Sequence, residues 1–199
     1  MRYLSIDLEA TGLKENCLII EIGMVPFDTE TRTIAEELAY GHLVTCPTFE
    51  SLKPTLDPWV IDHNRKLIER ANKDGKTIPE FKEKLTAYLE SSSVKRYFNQ
   101  QKIVVFGKSL NAIDLPFLNR DLGWDYVRKY FHHRVMDLSS HTLGLVDMGL
   151  LPPGSDSGSQ LMKYLNMGSV SHTAMEDARN TALMYLKLLD KFRVKNQDF

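Results

Sequence analysis

Three consecutive strand-like runs open the chain, and they restrict its architecture more than any other feature. Residues 2–8 (RYLSIDL) alternate well enough for a strand, and Gly12 marks a turn after it. A second run, about Cys17–Phe27, is rich in Ile and Val and ends at the turn residues Asp28, Thr29, Glu30 and Thr31. A third extends from about Thr33 to Thr45. Strands joined by connections this short pair antiparallel, so a meander is expected at the start.

The pattern then changes to helices. Asp57 is placed to cap a helix from Pro58 to about Ala71, and Thr77 with Glu80 forms a capping-box sequence for another reaching about Ser91. Residues 102–107 (KIVVFG) make a short, continuously apolar run, the mark of a strand covered on both faces. A helix from near Ala112 follows, with Pro116 early in it and Gly123 at its end. A strand is expected near Tyr130–Val135, with His132 and His133 on opposite sides. A helix from about Asp137 to Met148 and a surface loop over Gly149–Ser159 come next. Thr173 and Glu176 form a second capping box that opens a long last helix to about Phe192. Along it Ala174, Ala178, Ala182, Leu186 and Leu189 make one apolar stripe. The expected architecture is α/β, a mixed sheet flanked by helices with meander first and βα units later, in a single domain over residues 1–199.

Composition narrows the function. Lys and Arg number 25 against 26 Asp and Glu, for a net charge of −1. That balance argues against a protein that grips long duplexes by charge neutralisation, and permits one that holds a strand end with help from cations. Cys17 and Cys46 are too few for a zinc site or disulfide framework and read as buried free thiols, which suits a cytoplasmic setting. No apolar run approaches the ~20 residues of a membrane span.

Asp7 and Glu9, two apart at the end of the first strand, point from the same face. Their mutual repulsion is relieved by a cation, although a solvated strand end is the plainer alternative. Asp114 and Asp177 each fall in the first turn of a helix, where the helix dipole alone would favour a carboxylate. His172 directly precedes the Thr173 cap; it reads as a surface histidine or as a base suited to neutral pH. Glu21, within the second strand, reads as a single alternating polar position or as a group supporting the acids. Trp59 and Phe117 read as packing residues.

Together these residues carry a resemblance. The segment DLEATGL (Asp7–Leu13) resembles the first motif of the DEDD exonucleases, NAIDLPFL (Asn111–Leu118) is similar to the second, and HTAMEDARNTA (His172–Ala182) resembles the third in its histidine form. Ile113 stands where many members carry an aromatic residue. The resemblance to the DEDDh branch implies a ribonuclease H-like fold with a five-stranded sheet. It implies a 3′→5′ exonuclease that frees nucleoside 5′-monophosphates from single-stranded DNA or RNA. It also implies two divalent ions, Mg²⁺ with Mn²⁺ as substitute, roughly 3.5–4 Å apart. Asp7, Glu9, Asp114 and Asp177 would hold them, and His172 would be the general base. Thr11, Gly12 and Leu13 would meet the terminal nucleotide through their backbone amides and the Leu13 side chain, and Asn111 would touch substrate or cap its helix. Many relatives are homodimers. An oligoribonuclease-like enzyme for short RNA and a non-catalytic nucleic-acid-binding module are the competing readings.

Overall fold

A computed structural model describes residues 1–168 and 173–195. Its central strand is β1 (Arg2–Ala10), paired antiparallel with β2 (Ile19–Asp28) so that Asp7 lies opposite Gly23 and Glu9 opposite Glu21. On its other side β1 pairs in parallel with β5 (Val105–Gly107), which pairs in parallel with β6 (Met136–Asp137). Two short strands, β3 (Thr33–Ile34) and β4 (Tyr40–Leu43), share the outer edge of β2. Among the described residues six strands therefore fill five positions across a mixed sheet.

The expected single strand over Thr33–Thr45 is divided, and Pro26 supplies the reason. Its carbonyl accepts from Ala35 N at 2.9 Å, but on that same edge it has no N–H to return. The ladder lapses there, and a 3₁₀ turn over Glu36–Leu38 fills the gap. A second correction concerns Tyr130–Val135. The chain is helical over α7 (Trp124–Tyr130), and the strand comes later, at Met136–Asp137. Buried Val127 and Phe131 are four apart, a helical interval, and Gly123 at φ 93° lets α7 start directly where α6 (Asp114–Leu122) stops. His132 and His133 are not split across a sheet; their rings stack at 4.2 Å.

The expected Pro58–Ala71 helix is likewise two, α2 (Pro58–His63) and α3 (Arg65–Asp74), parted at buried Asn64. Upstream lies the single turn α1 (Phe49–Leu52). The Thr77 capping box is formed and starts α4 (Ile78–Glu90), followed by α5 (Ser92–Tyr97). Asp137 caps α8 (Leu138–Asp147), accepting from Ser140 N at 3.0 Å. Within the expected 149–159 loop region a short helix, α9 (Gly158–Tyr164), already begins. Neither free cysteine lies in a strand; Cys46 is buried and Cys17 half-buried.

The long helix α10 (Ala174–Lys195) closes the fold. Apolar residues pack both faces of the sheet. Leu4, Ile6 and Leu8 meet Phe81, Leu85 and Leu118, while Tyr3, Phe27 and Phe106 meet Leu138, Leu161 and Tyr185. Alternation along β1 thus sends Tyr3, Ser5, Asp7 and Glu9 toward the α10 side. Ala174, Ala178 and Ala182 are fully buried there, and small side chains let the helix lie close enough for Ser5 Oγ to donate to Ala178 O at 2.7 Å. Among the described residues no helix is long and apolar enough to cross a membrane.

Candidate active site

β1 delivers Asp7 and Glu9 to the end of the sheet where the parallel strands finish, the end at which open α/β sheets bind ligands. Asp177 stands one residue before Ala178, so the Ser5 contact that docks α10 also fixes this carboxylate beside them. One ligand oxygen from each of Asp7, Glu9 and Asp177 lies within 4.8 Å of the others. Asp114 comes from the first turn of α6. β5 ends at Gly107, leaving the Leu8 N–H without a strand partner on that edge, and Asp114 Oδ1 accepts it at 3.0 Å. Asp114 is 4% exposed, so its role is fixed from within the protein.

Crowding has electrostatic consequences. Burial, then Asp114, Asp177 and Glu9, hold the Asp7 carboxyl well above the usual range. Burial, then Asp177 and Glu21, push Glu9 up to about 7, against a hydrogen bond from Asn64 Nδ2 at 3.3 Å. Burial pushes Asp114 to about 7 despite its backbone donors. The exposed Lys108 ammonium lowers all three. An all-oxygen donor set that cannot ionise fully on its own at neutral pH fits a hard divalent cation.

Glu21, opposite Glu9, has a structural task. Its buried carboxylate accepts from Ala174 N at 2.9 Å and so holds the start of α10 against β2. Gly23 makes that approach feasible: a Cβ there would fall 2.2 Å from Ala174 O and 2.4 Å from Met175 N. Gly23→Ala is therefore expected to push α10 off the sheet and carry Asp177 away from Asp7. Denaturant unfolding should show a loss of about 1–3 kcal/mol, and calorimetry weaker binding of divalent cations; unchanged values for both would refute this account.

The remaining expected residues divide. Leu13, 76% exposed, does not fold back on the core; with Gly12 and Thr11 it lines an open cleft of about 740 Å³. The Thr11 amide, expected to face a nucleotide, instead donates to Leu18 O at 2.9 Å, and its Oγ1 accepts from Leu18 N at 2.8 Å. Thr11 therefore clasps the loop. Gly12 stands at φ 151°, with Cys17 Sγ 2.9 Å from where a Cβ would be. Ile113 lines the cleft, so the position lacking the aromatic residue still borders it. Asn111 is exposed, does not cap α6, and lines a different hollow. His172 lies outside the described residues.

Four contributors escaped sequence reading or were undervalued. Trp59 is no core residue: it is 51% exposed on the cleft wall, its ring stacked on His63 at 4.4 Å. Asn64 had no signal beyond being polar inside an apparent helix. Lys108 could have been noticed as the first residue past an apolar strand, whereas Glu21, weighed as a supporting group, gains its importance from a strand that is buried throughout.

The family model for exonucleases of the RNase T type matches residues 4–185, most of the chain. The chain belongs to this exonuclease family. Its fold is the ribonuclease H-like fold of the DEDDh nucleases. A structure described as the nuclease domain of 3'hExo, a DEDDh family member, bound to rAMP is similar at TM-score 0.68 and 17% identity, over 96% of this chain and 92% of that one. E. coli Exonuclease I in complex with a dT13 oligonucleotide is similar at TM-score 0.65 and 17% identity, over 99% of this chain but 42% of that one. The RNase domain of the yeast Pop2 protein is similar at TM-score 0.67 and 15% identity, over 95% and 77%. No curated protein sequence matches. Membership makes the chain a nuclease of a class that uses divalent metal ions, and among the described residues the cluster of Asp7, Glu9 and Asp177 is suited to hold one.

Proposed function

We propose that residues 1–199 form one catalytic domain that hydrolyses single-stranded DNA or RNA from the 3′ end, releasing nucleoside 5′-monophosphates one at a time. The observation that carries this reading is the meeting of Asp7, Glu9 and Asp177 oxygens within 4.8 Å, with Glu9 itself lining the cleft walled by Leu13 and Trp59. Asp7, Glu9, Asp114 and Asp177 are the residues that would hold two divalent ions, Mg²⁺ or in its place Mn²⁺. When bound, such ions offset the charge that builds on the phosphate and on the departing oxygen.

The chain's own groups do the rest. The exposed Leu13 and Trp59 side chains offer apolar and aromatic surface to the terminal base. Asn64 steadies the Glu9 carboxylate through its 3.3 Å hydrogen bond. His172, one residue before the Thr173 cap, takes the proton from the attacking water, as the third-motif resemblance implies. The water oxygen forms the new bond to phosphorus, and the bond to the 3′ oxygen of the preceding nucleotide breaks. Lys108 reduces the negative charge that a phosphodiester meets on approach.

A 5′-labelled single strand incubated with Mg²⁺ should shorten in single-nucleotide steps, and a 3′-terminal label should leave first as a mononucleotide. Blocking the 3′ end should stop both. Loss of the 5′ label first would reverse the polarity assigned, and tight binding with no product would instead favour the non-catalytic module.

A further inference from the structure

A second hollow, of about 260 Å³, lies beside α6, lined by Asn111, Asn119, Trp124, Arg128, His132 and His133 among others. It has no part in the chemistry described above. Trp124 is 58% exposed, and the Arg128 guanidinium lies 4.4 Å from its ring centre. A surface indole paired with a guanidinium presents a flat stacking surface and a fixed positive charge together. The surroundings are positive as well. Burial, then His133, Arg134, Lys102 and Arg128, hold His132 below its ordinary value. In a chain of net charge −1 that concentration is a local exception. Finally, Asn119 Oδ1 is buried and finds no hydrogen-bond donor among the described residues. Orphaned acceptors of this kind are few in folded proteins, and Asn119 is one of the residues lining the hollow.

Position adds the last argument. Asn111 and Leu115 line the hollow and Ile113 lines the cleft, so the two recesses flank the turn of α6 that bears Asp114. The turn that bears Asp114 therefore separates the cleft from the hollow.

We propose that the hollow is a second nucleic-acid subsite, holding a nucleotide of the same single strand on the 5′ side of the bond being cut. Trp124 stacks its base, and Arg128 and Arg134 neutralise phosphates. This rests on the exonuclease reading above and adds a length preference to it: a strand long enough to span both recesses binds better than one that fills the cleft alone.

The test compares a dinucleotide with a strand of roughly twelve nucleotides, within the range that single-strand sites occupy. Fluorescence anisotropy in an Asp7→Asn background measures binding without loss of the strand. Trp124→Ala should lower the ratio of long-strand to dinucleotide affinity about tenfold, in the range of one lost stacking contact. Arg128→Ala should flatten the salt dependence of long-strand binding by about 0.7 in log–log slope, the loss of one phosphate contact. In a Trp59→Phe protein Trp124 is the sole indole, and the long strand should quench it while the dinucleotide does not. Equal weakening for both lengths, or no weakening, overturns the proposal. So does sedimentation in which Trp124→Ala separates a dimer into monomers, since the hollow would then be a contact between copies. Failure of the unaltered protein to degrade any strand would instead count against the exonuclease reading itself.

Discussion

Asp7→Asn is expected to reduce strand hydrolysis by on the order of 10³-fold or more while leaving the protein folded. The substitution keeps the shape of the side chain and removes one anionic ligand from the group shared with Glu9 and Asp177. Asp7 also lies in the field of Asp114, so it is the carboxyl on which the other three act together. Asparagine cannot replace the charge that draws a cation into that position, and the phosphate loses the electrostatic support its reaction needs. In the metal-free protein the same change acts in the opposite direction, because it relieves repulsion among half-buried acids. The variant should therefore melt higher than the parent without metal and lower than the parent with it. Turnover measured on a labelled strand, together with melting curves with and without Mg²⁺, checks both halves. Undiminished cleavage would remove Asp7 from the reaction, and a collapse of the metal-free melting temperature would mean that Asp7 is there for structure.

What the sequence made legible was local. Asp7 and Glu9 could be assigned to one face because β1 alternates, and Asp177 to a first turn because Thr173 and Glu176 mark where α10 starts. The meander and the later parallel strands followed from connection length and apolar runs. The readings that went astray depended on partners distant in sequence. Pro26 breaks the Thr33–Thr45 ladder from the neighbouring strand. Trp59 reads as a helix-packing residue, but only the placement of α2 shows that it faces a cleft. Asn64 interrupts a helix that its neighbours would continue, and its side chain finds Glu9 from 55 positions away. Glu21 reads as one acid in a β-strand until the first turn of α10, 153 residues on, supplies the N–H it accepts.

Without metal, the protein should lose stability as the pH rises from 6.5 to 8, and divalent cations should remove that loss. Glu9 and Asp114 titrate near 7 in the folded chain and Asp7 well above its ordinary value, whereas in the unfolded chain all three ionise near 4. A carboxyl with a raised folded value holds its proton better in the folded state, so its contribution is full below about 4 and is lost as pH climbs through the folded value. Other groups act elsewhere. Asp28 is lowered by the Glu30 backbone N–H and then by Arg2, and Glu36 by Arg179, and their contribution fades only in acid. His42, His132 and His141 are lowered, so they favour the folded state more as pH rises and level off only above their ordinary value, with or without metal. Comparing curves with and without divalent cation over 6.5 to 8 therefore singles out the acidic cluster, because those histidines contribute to both alike. Allowing for partial exposure, the metal-free loss is on the order of 1 kcal/mol, or about 2–4 °C in a chain of this size. Metal at about a hundred times its dissociation constant adds about 2.7 kcal/mol, roughly 5–10 °C. Binding requires ionised carboxylates, so the gap between melting curves with and without Mg²⁺ should be small at pH 5 and widest at pH 8. A gap that stays constant with pH, or a metal-free melting temperature that rises across the interval, would mean that these carboxyls neither repel one another nor share a cation.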